Sequence, residues 1–307
     1  GANGVILVTT KSGKEGKVSV SYSGYYAMKK IANTLDVLSP ADYVKWQYEL
    51  AMLKGDNPDE INPDSYTKFF GNYEDMDILA NSPANDWQEL TFGRPGHTWN
   101  HSININGGSD KFKYAFSYSH MDDKAIMERS SFNRDNLTAK LSIKPVDPVT
   151  LEFSARYSET DILGGGANDV SSTLDTDRRL KYSVIFTPIP ISNLDASAGS
   201  DDDDLGNLYN PIQAIDDNYR EKTRKQLNLA GAATWEVVKG LKAKVEVGYD
   251  DYRLNDRRFW GLTTYYIKNT PASENQGMPA TRLVNTSRYK VRNTNTITYD
   301  FSQLIKN

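Results

Sequence analysis

Apolar and polar residues alternate along residues 97–123, the segment HTWNHSININGGSDKFKYAFSYSHMDD. Successive side chains of a β-strand point to opposite faces of the sheet, so a period of two predicts strands with one apolar face. Gly107-Gly108-Ser109-Asp110 separates the two halves and suits a tight turn. The segment is therefore predicted to be a β-hairpin, and its apolar face consists of Trp99, His101, Ile103, Ile105, Phe112, Tyr114, Phe116 and Tyr118.

The same alternation recurs elsewhere and predicts six more strands, at 17–29, 136–144, 150–158, 226–238, 242–254 and 285–301. A short β-branched run at residues 5–10 predicts one further, buried strand. Three long polar segments, at about 30–96, 163–224 and 255–285, are predicted to be loops with short helices. Ser39-Pro40 predicts the start of one helix, because Ser is a good N-cap and Pro suits the first turn, and Gly55 predicts its end.

The lengths of the links between strands alternate between short and long. Counted from residue 17, the second, fourth and sixth links are tight turns, whereas the first, fifth and seventh are long and the third is intermediate. All tight turns therefore lie at one end of the predicted sheet. Transmembrane β-barrels have this asymmetry, whereas soluble sandwiches place long connections at both ends. The predicted fold is accordingly all-β, a partial transmembrane antiparallel barrel of eight strands with long extracellular loops.

Aromatic residues lie near the ends of the predicted strands, as the interfacial girdle of a membrane barrel requires. They are Tyr22, Tyr26, Trp99, Tyr118, Tyr157, Trp235 and Tyr249. The alternative is that these side chains pack inside a soluble core. A soluble core would not explain why all the tight turns lie at one end of the sheet.

Composition excludes several classes of protein. The 307 residues carry a net charge of −4, which provides no basic field for nucleic acid. The absence of cysteine excludes disulfides and thiol chemistry. No stretch approaches 18 consecutive apolar residues, so no transmembrane helix is predicted. The chain begins with Gly1 rather than Met and ends at Asn307 without a recognisable terminus, and we interpret it as an internal piece of a longer protein.

Several short segments carry motifs beyond the alternation of the strands. The first is GANGVILVTTK at residues 1–11, which is followed by Gly13-Lys14-Glu15-Gly16-Lys17. These segments resemble the end of the plug domain and the entry to the first barrel strand in TonB-dependent outer-membrane transporters of the SusC/RagA type. Further similarity lies in NDWQE at 85–89, in HTWNHS at 97–102 through Gly107-Gly108, in 114–119 with Asp122-Asp123, and around Ala41-Asp42-Tyr43.

The resemblance implies more than the residue pattern does. It implies that residues 1–13 are the C-terminal end of a plug and that residues 14–307 are the N-terminal part of a barrel of about 22 strands. The implied function is import of a large nutrient, an oligosaccharide or in some cases a peptide, without covalent chemistry. The implied partners are a SusD-like surface lipoprotein, the TonB–ExbB–ExbD energy-coupling complex, which acts through the missing N-terminal part, and outer-membrane lipid.

Candidate metal sites are few. Asp201, Asp202, Asp203 and Asp204 offer carboxylate oxygens to Ca²⁺, but Leu205 and Ile212 stand where an EF-hand needs ligands, so a solvated loop is the competing interpretation. The three histidines, His97, His101 and His120, fit no compact zinc motif. His101 and His120 are expected to be neighbours, but two ligands without a nearby carboxylate would make a weak site. No nucleophile-elbow or phosphate-loop motif is present, and the chain is predicted not to be an enzyme and to need no cofactor.

Aromatic residues in the predicted loops are candidates for contact with a substrate or with the lipoprotein, since Tyr and Trp are favoured at interfaces. The alternative for each is that it packs one loop against another. The candidates are Trp46, Tyr66, Trp87, Tyr209, Trp260 and Tyr265, with Phe69, Tyr73 and Tyr266 in the same class.

Two other functions remain open at this stage. One is a small stand-alone outer-membrane barrel, either an adhesin or a membrane enzyme, although the chain ends in Ser302-Gln303-Leu304-Ile305-Lys306-Asn307 rather than in the usual terminal aromatic. The other is a soluble β-rich carbohydrate-binding module, which would fold in buffer without detergent. The membrane interpretation instead predicts aggregation of the isolated segment, because its sheet edges stay open.

Overall fold

The computed structural model describes residues 16–53, 66, 70–164, 179–189, 210–268 and 277–301. Eight antiparallel strands form one sheet in which spatial order follows chain order. The strands are β1 (Gly16–Lys29), β2 (Gly96–Gly108), β3 (Phe112–Lys124), β4 (Ser131–Val146), β5 (Val149–Leu163), β6 (Asn218–Val238), β7 (Leu241–Trp260) and β8 (Ala280–Tyr299). The predicted all-β antiparallel fold is confirmed. The strand predicted at residues 5–10 lies outside the described residues.

The tight turns lie together at one end of the sheet. The β2–β3, β4–β5 and β6–β7 connections are residues 109–111, 147–148 and 239–240. Gly240 has φ +87°, a left-handed conformation that favours glycine in a two-residue hairpin. The first turn begins later than predicted, because Gly107 and Gly108 still pair with Tyr114 and Lys113. Gly108 is required there, since a Cβ would lie 2.2 Å from the Phe112 carbonyl oxygen.

The last three strands are longer than the sequence pattern predicts. β6 begins at Asn218 rather than at residue 226, β7 continues to Trp260, and β8 begins at Ala280. The extensions occupy parts of 163–224 and 255–285, which were predicted to be loops. They escaped prediction because residues 218–225 (NYREKTRK) are polar on both faces, so no apolar alternation marks them.

Short helices lie in the long connections at the other end. They are α1 (Pro40–Leu53), α2 (Met76–Ala80), α3 (Trp87–Phe92), α4 (Arg179–Ile185), α5 (Pro211–Asp217) and α6 (Tyr265–Lys268), with a 3₁₀ turn at Tyr73–Asp75. The predicted start of α1 is confirmed, since the Asp42 amide donates to the Ser39 hydroxyl oxygen over 3.2 Å. None of the described helices is both long and apolar enough to cross a bilayer.

The buried core lies among these connections rather than against the sheet. Tyr43, Val44 and Ala51 of α1 pack with Tyr66, Phe70 and Ile189. Among the described residues, Trp260 is the only buried hydrophobic side chain that belongs to a strand. The apolar face of the sheet is therefore not covered by the described part of the chain.

Candidate functional site

One face of the sheet carries an uninterrupted apolar row across all eight strands. Strand register aligns Val20, Ile105, Phe116, Ala139, Ala155, Leu229, Tyr249 and Val291. Val20, Phe116, Leu229, Tyr249 and Val291 are all exposed. An apolar patch of this extent indicates contact with a membrane or a partner, because monomeric soluble proteins rarely expose one. We call this face of the sheet the outer face.

A row of tyrosines and charged residues borders the apolar part of the outer face. The Tyr118 hydroxyl donates to Asp135 over 2.6 Å, and the Tyr157 hydroxyl donates to Glu159 over 2.6 Å. In the next register row, Lys225 forms an ion pair with Glu159 at 2.8 Å. The aromatic rings thus lie on the apolar side and their hydroxyls on the charged side. Tyr residues with one apolar end and one wet end are typical of a membrane–water interface.

The height of the apolar band fits a membrane. On β6 the outward positions from Leu227 to Trp235 are all apolar, and Lys225 ends the series. This stretch of about nine residues matches the roughly 9–11 residues with which a tilted β-strand crosses a bilayer. Trp235, at the end with the tight turns, is exposed and lies where the opposite interface is expected.

The opposite face, which we call the inner face, is polar at the same heights. One register row reads Ser21, Asn104, Ser117, Thr138, Arg156, Asn228, Asp250 and Lys290. Its side chains bond to one another, since Asn228 Nδ2 donates to Asp250 over 2.5 Å. Asn136 Nδ2 likewise donates to the Ser119 hydroxyl over 3.1 Å. A polar inner face is typical of the wet lumen of a membrane barrel.

The charges of the inner face are unbalanced on the last three strands. The cations are Arg220, Lys222, Arg224, Lys242, Lys244, Arg258, Arg282, Arg288, Lys290 and Arg292, whereas the carboxylates are Glu236, Glu246, Asp250 and Asp256. On the outer face of the same strands, the cations Lys225, Arg253 and Arg257 stand against the carboxylates Glu221 and Asp251. The excess of positive charge is therefore a property of the inner face.

The connections at the loop end are held together by specific contacts. Trp87 Nε1 donates to the Thr187 carbonyl over 2.7 Å, and the Trp87 ring meets Phe186 edge-on at 5.1 Å. Gln88 bonds to both the amide and the carbonyl of Leu35, at 2.9 and 2.7 Å. Burial raises the pKa of the Tyr43 phenol inside the neighbouring core. The contacts of Trp87 and Gln88 therefore join three segments that are far apart in sequence, around residues 35, 87–88 and 186–187.

Known proteins with similar sequences share one name. No protein-family model matches the chain. TonB-dependent receptor P26 of Formosa agariphila is 28% identical over 231 residues, which are 73% of this chain and 20% of that protein. TonB-dependent receptor SusC of Bacteroides thetaiotaomicron is 31% identical over 183 residues, which are 56% of this chain and 16% of that protein. The resemblance to TonB-dependent receptors is confirmed.

Solved structures agree in fold. The RagAB peptide transporter matches with a TM-score of 0.64 and 16% identity over 94% of this chain and 33% of that chain. The RagAB peptide importer in its open-open state matches with a TM-score of 0.60 and 17% identity. The eight-strand sheet therefore has the fold of part of a RagA-type barrel. The chain spans about a fifth of the length of the curated TonB-dependent receptors that it matches.

The predicted loop aromatics occupy different environments in the structure. Trp46 is exposed on α1, and Trp87 is partly buried against Phe186 and Thr187, which directly follow α4. Tyr66 is 2% exposed inside the loop core, where burial raises the pKa of its phenol. A ligand would reach the Tyr66 ring only if that core opened. Contact with a substrate or partner stays a prediction for each residue.

Trp260 lies on a strand, which corrects its predicted place in a loop. It is the last residue of β7, is 3% exposed and stacks on Tyr266 at 4.4 Å between ring centroids. The Arg258 guanidinium lies 4.5 Å from the Trp260 ring centroid on the same strand. This end of β7 was not predicted because Phe259 and Trp260 are adjacent apolar residues, so no alternation marks them. Trp260 is therefore a strand residue rather than a loop residue.

The remaining candidate residues belong to the long connections. Tyr265 belongs to α6. Phe69, Tyr209 and the run Asp201, Asp202, Asp203 and Asp204 lie outside the described residues, so Ca²⁺ binding stays untested. Among the described residues, no group of three His, Cys, Asp or Glu side chains could hold a metal ion.

The histidines are placed as expected, with one correction. His101 and His120 are register partners on β2 and β3. Contrary to expectation, a carboxylate lies beside them, since His120 Nδ1 is 2.8 Å from Asp135 Oδ1. The pairing was not visible in the sequence because Asp135 lies on β4, fifteen residues away in the chain. These polar groups belong to the charged border of the outer face.

Proposed function

We propose that the chain is part of a TonB-dependent outer-membrane importer of a large nutrient. In this proposal, residues 1–13 end the plug domain and residues 14–307 form the N-terminal part of the barrel. The single observation that carries the proposal is the eight-strand apolar row from Val20 to Val291, opposed by a polar inner face. An apolar outer face is suited to lipid, and a polar inner face is suited to a plug and a hydrated substrate.

The substrate class follows from the resemblance rather than from the geometry. An oligosaccharide is favoured, with a peptide as the second candidate, since the RagAB structures are those of a peptide transporter. We infer that a SusD-like surface lipoprotein closes over the loop end and that the TonB–ExbB–ExbD complex supplies energy. The likeness to SusC and to the two-component RagAB assembly supports these partners.

The two other functions explain less. A soluble carbohydrate-binding module would expose the apolar row of Phe116, Leu229 and Val291 to water, which soluble monomers rarely do. A stand-alone barrel of eight strands requires the sheet to close, yet among the described strands β1 pairs with β2 alone and β8 with β7 alone. Neither alternative accounts for the similarity to much longer TonB-dependent receptors.

The test uses the complete gene in its native host. Full-length protein carrying an epitope tag is expected to fractionate with the outer membrane and to resist dissociation in cold detergent until heated. Cells that lack the gene are expected to lose growth on a subset of oligosaccharides or peptides, and cells that lack TonB are expected to lose growth on the same subset. Recovery in the soluble fraction, or uptake that continues without TonB, would refute the proposal.

A further inference from the structure

The inner face of β6, β7 and β8 presents a row of three arginines at the loop end of the sheet. Register places Arg220 beside Arg258 and Arg258 beside Arg282. Like charges directly opposite one another on adjacent strands destabilise a sheet. Asp256, one pleat away, offsets part of this repulsion, because Arg220 binds it through two hydrogen bonds at 3.1 and 2.9 Å. At these inner-face positions the described strands carry one carboxylate beside the three guanidinium groups and Lys222, so the strands themselves contribute more positive than negative charge to this rim.

The positive charge continues down β8 toward the level of the membrane band. Arg288, Lys290 and Arg292 occupy successive inner-face positions, and all three are exposed. Asp250 engages Arg292 at 3.3 Å and also accepts from Asn228. No carboxylate is present on either face of β8 between Ala280 and Tyr299. From Arg282 to Arg292 the cations cover about 33 Å at roughly 3.3 Å per residue.

The position of the rim indicates what it faces. Arg282 lies seven residues from Tyr289, which shares a register row with Tyr157 and Leu227 at the edge of the apolar band. The rim is thus beyond the membrane band, at the end that carries the long connections. Within the rim, Arg258 is 2% exposed and Arg220 is 11% exposed, whereas Arg282 is exposed. A solute entering a barrel from that end would therefore meet Arg282 first and the lower cations afterwards. An array of cations concentrates anions and steers them inward.

We propose that the nutrient is an oligomer with repeated carboxylate or sulfate groups, which the inner-face cations of β6–β8 bind and guide from Arg282 toward Arg292. This inference rests on the proposed import function and names its substrate class. Guanidinium groups suit the task, because their planar fork matches the geometry of carboxylate and sulfate. Acidic oligosaccharides and acidic peptides share this chemistry.

The test measures binding to the purified full-length receptor in detergent by calorimetry. The probes are oligogalacturonate, chondroitin sulfate oligosaccharides and hexaglutamate, with maltoheptaose as the neutral reference. At least one anionic probe is expected to bind at least 10-fold more tightly than maltoheptaose. Raising the salt from about 0.05 M to about 0.5 M is expected to weaken that binding, because salt screens exposed charges. Preference for the saccharide or the peptide probe identifies which source supplies the anionic groups.

Two variants assign the binding to the inner face. The double variant Arg282→Gln/Arg288→Gln is expected to weaken binding of the anionic probe at least 10-fold and to leave binding of maltoheptaose unchanged. The matched control is Arg253→Gln, which removes an exposed arginine from the outer face of β7 and is expected to change neither. Both proteins are first checked for heat-modifiable mobility in gels, so that only folded samples are compared.

Each outcome decides between the inference and the proposed function. Equal binding of neutral and anionic probes, no binding of any anionic probe, or equal losses in the double variant and the control would overturn the inference. Anionic binding that depends on Arg282 and Arg288, without TonB-dependent uptake in cells, would uphold the inference and refute the proposed function. TonB-dependent uptake of a neutral oligosaccharide, without binding of any anionic probe, would refute the inference and support the proposed function.

Discussion

Phe116 and Ser117 are neighbours on β3, yet they belong to surfaces of opposite character. Phe116 stands in the apolar row that crosses all eight strands of the outer face, whereas Ser117 stands in the polar row of the inner face. The same contrast holds between Tyr249 and Asp250 on β7. Each strand therefore separates two environments, and one residue along the chain is enough to pass from one to the other.

The contrast explains why average properties hide the nature of this segment. The mean hydropathy is −0.62, a value typical of a water-soluble protein. Alternation dilutes the apolar residues with polar ones, and the long connections add more polar residues. Only the arrangement of residues on two faces indicates a membrane wall.

The largest expected effect comes from placing a charge on the outer face. Phe116→Arg in the full-length protein is expected to destabilise the folded state in lipid by up to about 2–4 kcal/mol, because a cation inside the apolar band loses its hydration. The measurement is refolding into vesicles from urea, followed by heat-modifiable mobility. Ser117→Arg is the matched control and is expected to fold, since its inner-face environment is polar. Equal loss in both variants would contradict the two-face arrangement.

A smaller effect is expected at the rim of the inner face. Asp256→Asn removes the charge that Arg220 binds, and both side chains are largely buried, 13% and 11% exposed. We expect a loss of about 1–3 kcal/mol, because charged hydrogen-bond partners are left less well satisfied. Thermal unfolding in detergent measures it. For comparison, Glu246→Gln breaks the more exposed Lys244 pair and should cost under about 1 kcal/mol.

The alternation between outer-face and inner-face residues should not continue into the helices beyond the strand ends. On α1, Val44 is fully buried whereas Trp46, two residues on, is exposed, so burial there follows the helical period. Val44→Ala is expected to weaken the loop core by about 1.5 kcal/mol through lost apolar contact. Hydrogen exchange should rise in residues 40–53 and stay unchanged in β3 and β5. Trp46→Ala is expected to alter neither region, and faster exchange in the strands of either variant would show that wall and loops unfold together.

The smallest effect is expected at the border of the apolar band. Tyr118→Phe removes the hydrogen bond to Asp135 and keeps the ring, so the loss should be about 0.5–1 kcal/mol. Urea-dependent unfolding in vesicles gives the value. Tyr118→Ala, which also removes the interfacial ring, should lose more than Tyr118→Phe does. If the two variants lose the same amount, the ring contributes nothing at the interface.

The hairpin at residues 97–123 was predictable because one face is consistently apolar. The same signal predicted the parts of β4 to β8 that cross the apolar band. It failed for residues 218–225, where both faces are polar, and for the end of β7, where the apolar residues Phe259 and Trp260 are adjacent and so do not alternate. Strand pairing extends there because β6 and β7 continue their hydrogen-bonded register together, which no local pattern records.

The candidate site was predicted less completely than the wall. The polar inner face followed from alternation at Ser102, Asn104 and Ser117. The row of Arg220, Arg258 and Arg282 did not, because its members come from three strands and lay in predicted loops. The packing of Ile189 against Val44 was likewise unpredictable, since it depends on how two long connections meet. Long-range contacts of this kind are decided by the assembled sheet rather than by neighbouring residues.

The most direct measurement is a scan of solvent environment along β3 and β4 in the full-length protein reconstituted in lipid. This chain contains no cysteine, so each cysteine introduced in it provides one labelling position. Spin labels at Phe116, Tyr118, Leu137 and Leu141 are expected to meet lipid-soluble oxygen, whereas labels at Ser117, Ser119, Asn136 and Thr138 are expected to meet a water-soluble nickel complex. Access of the nickel complex to both series alike would contradict a wall between lipid and lumen.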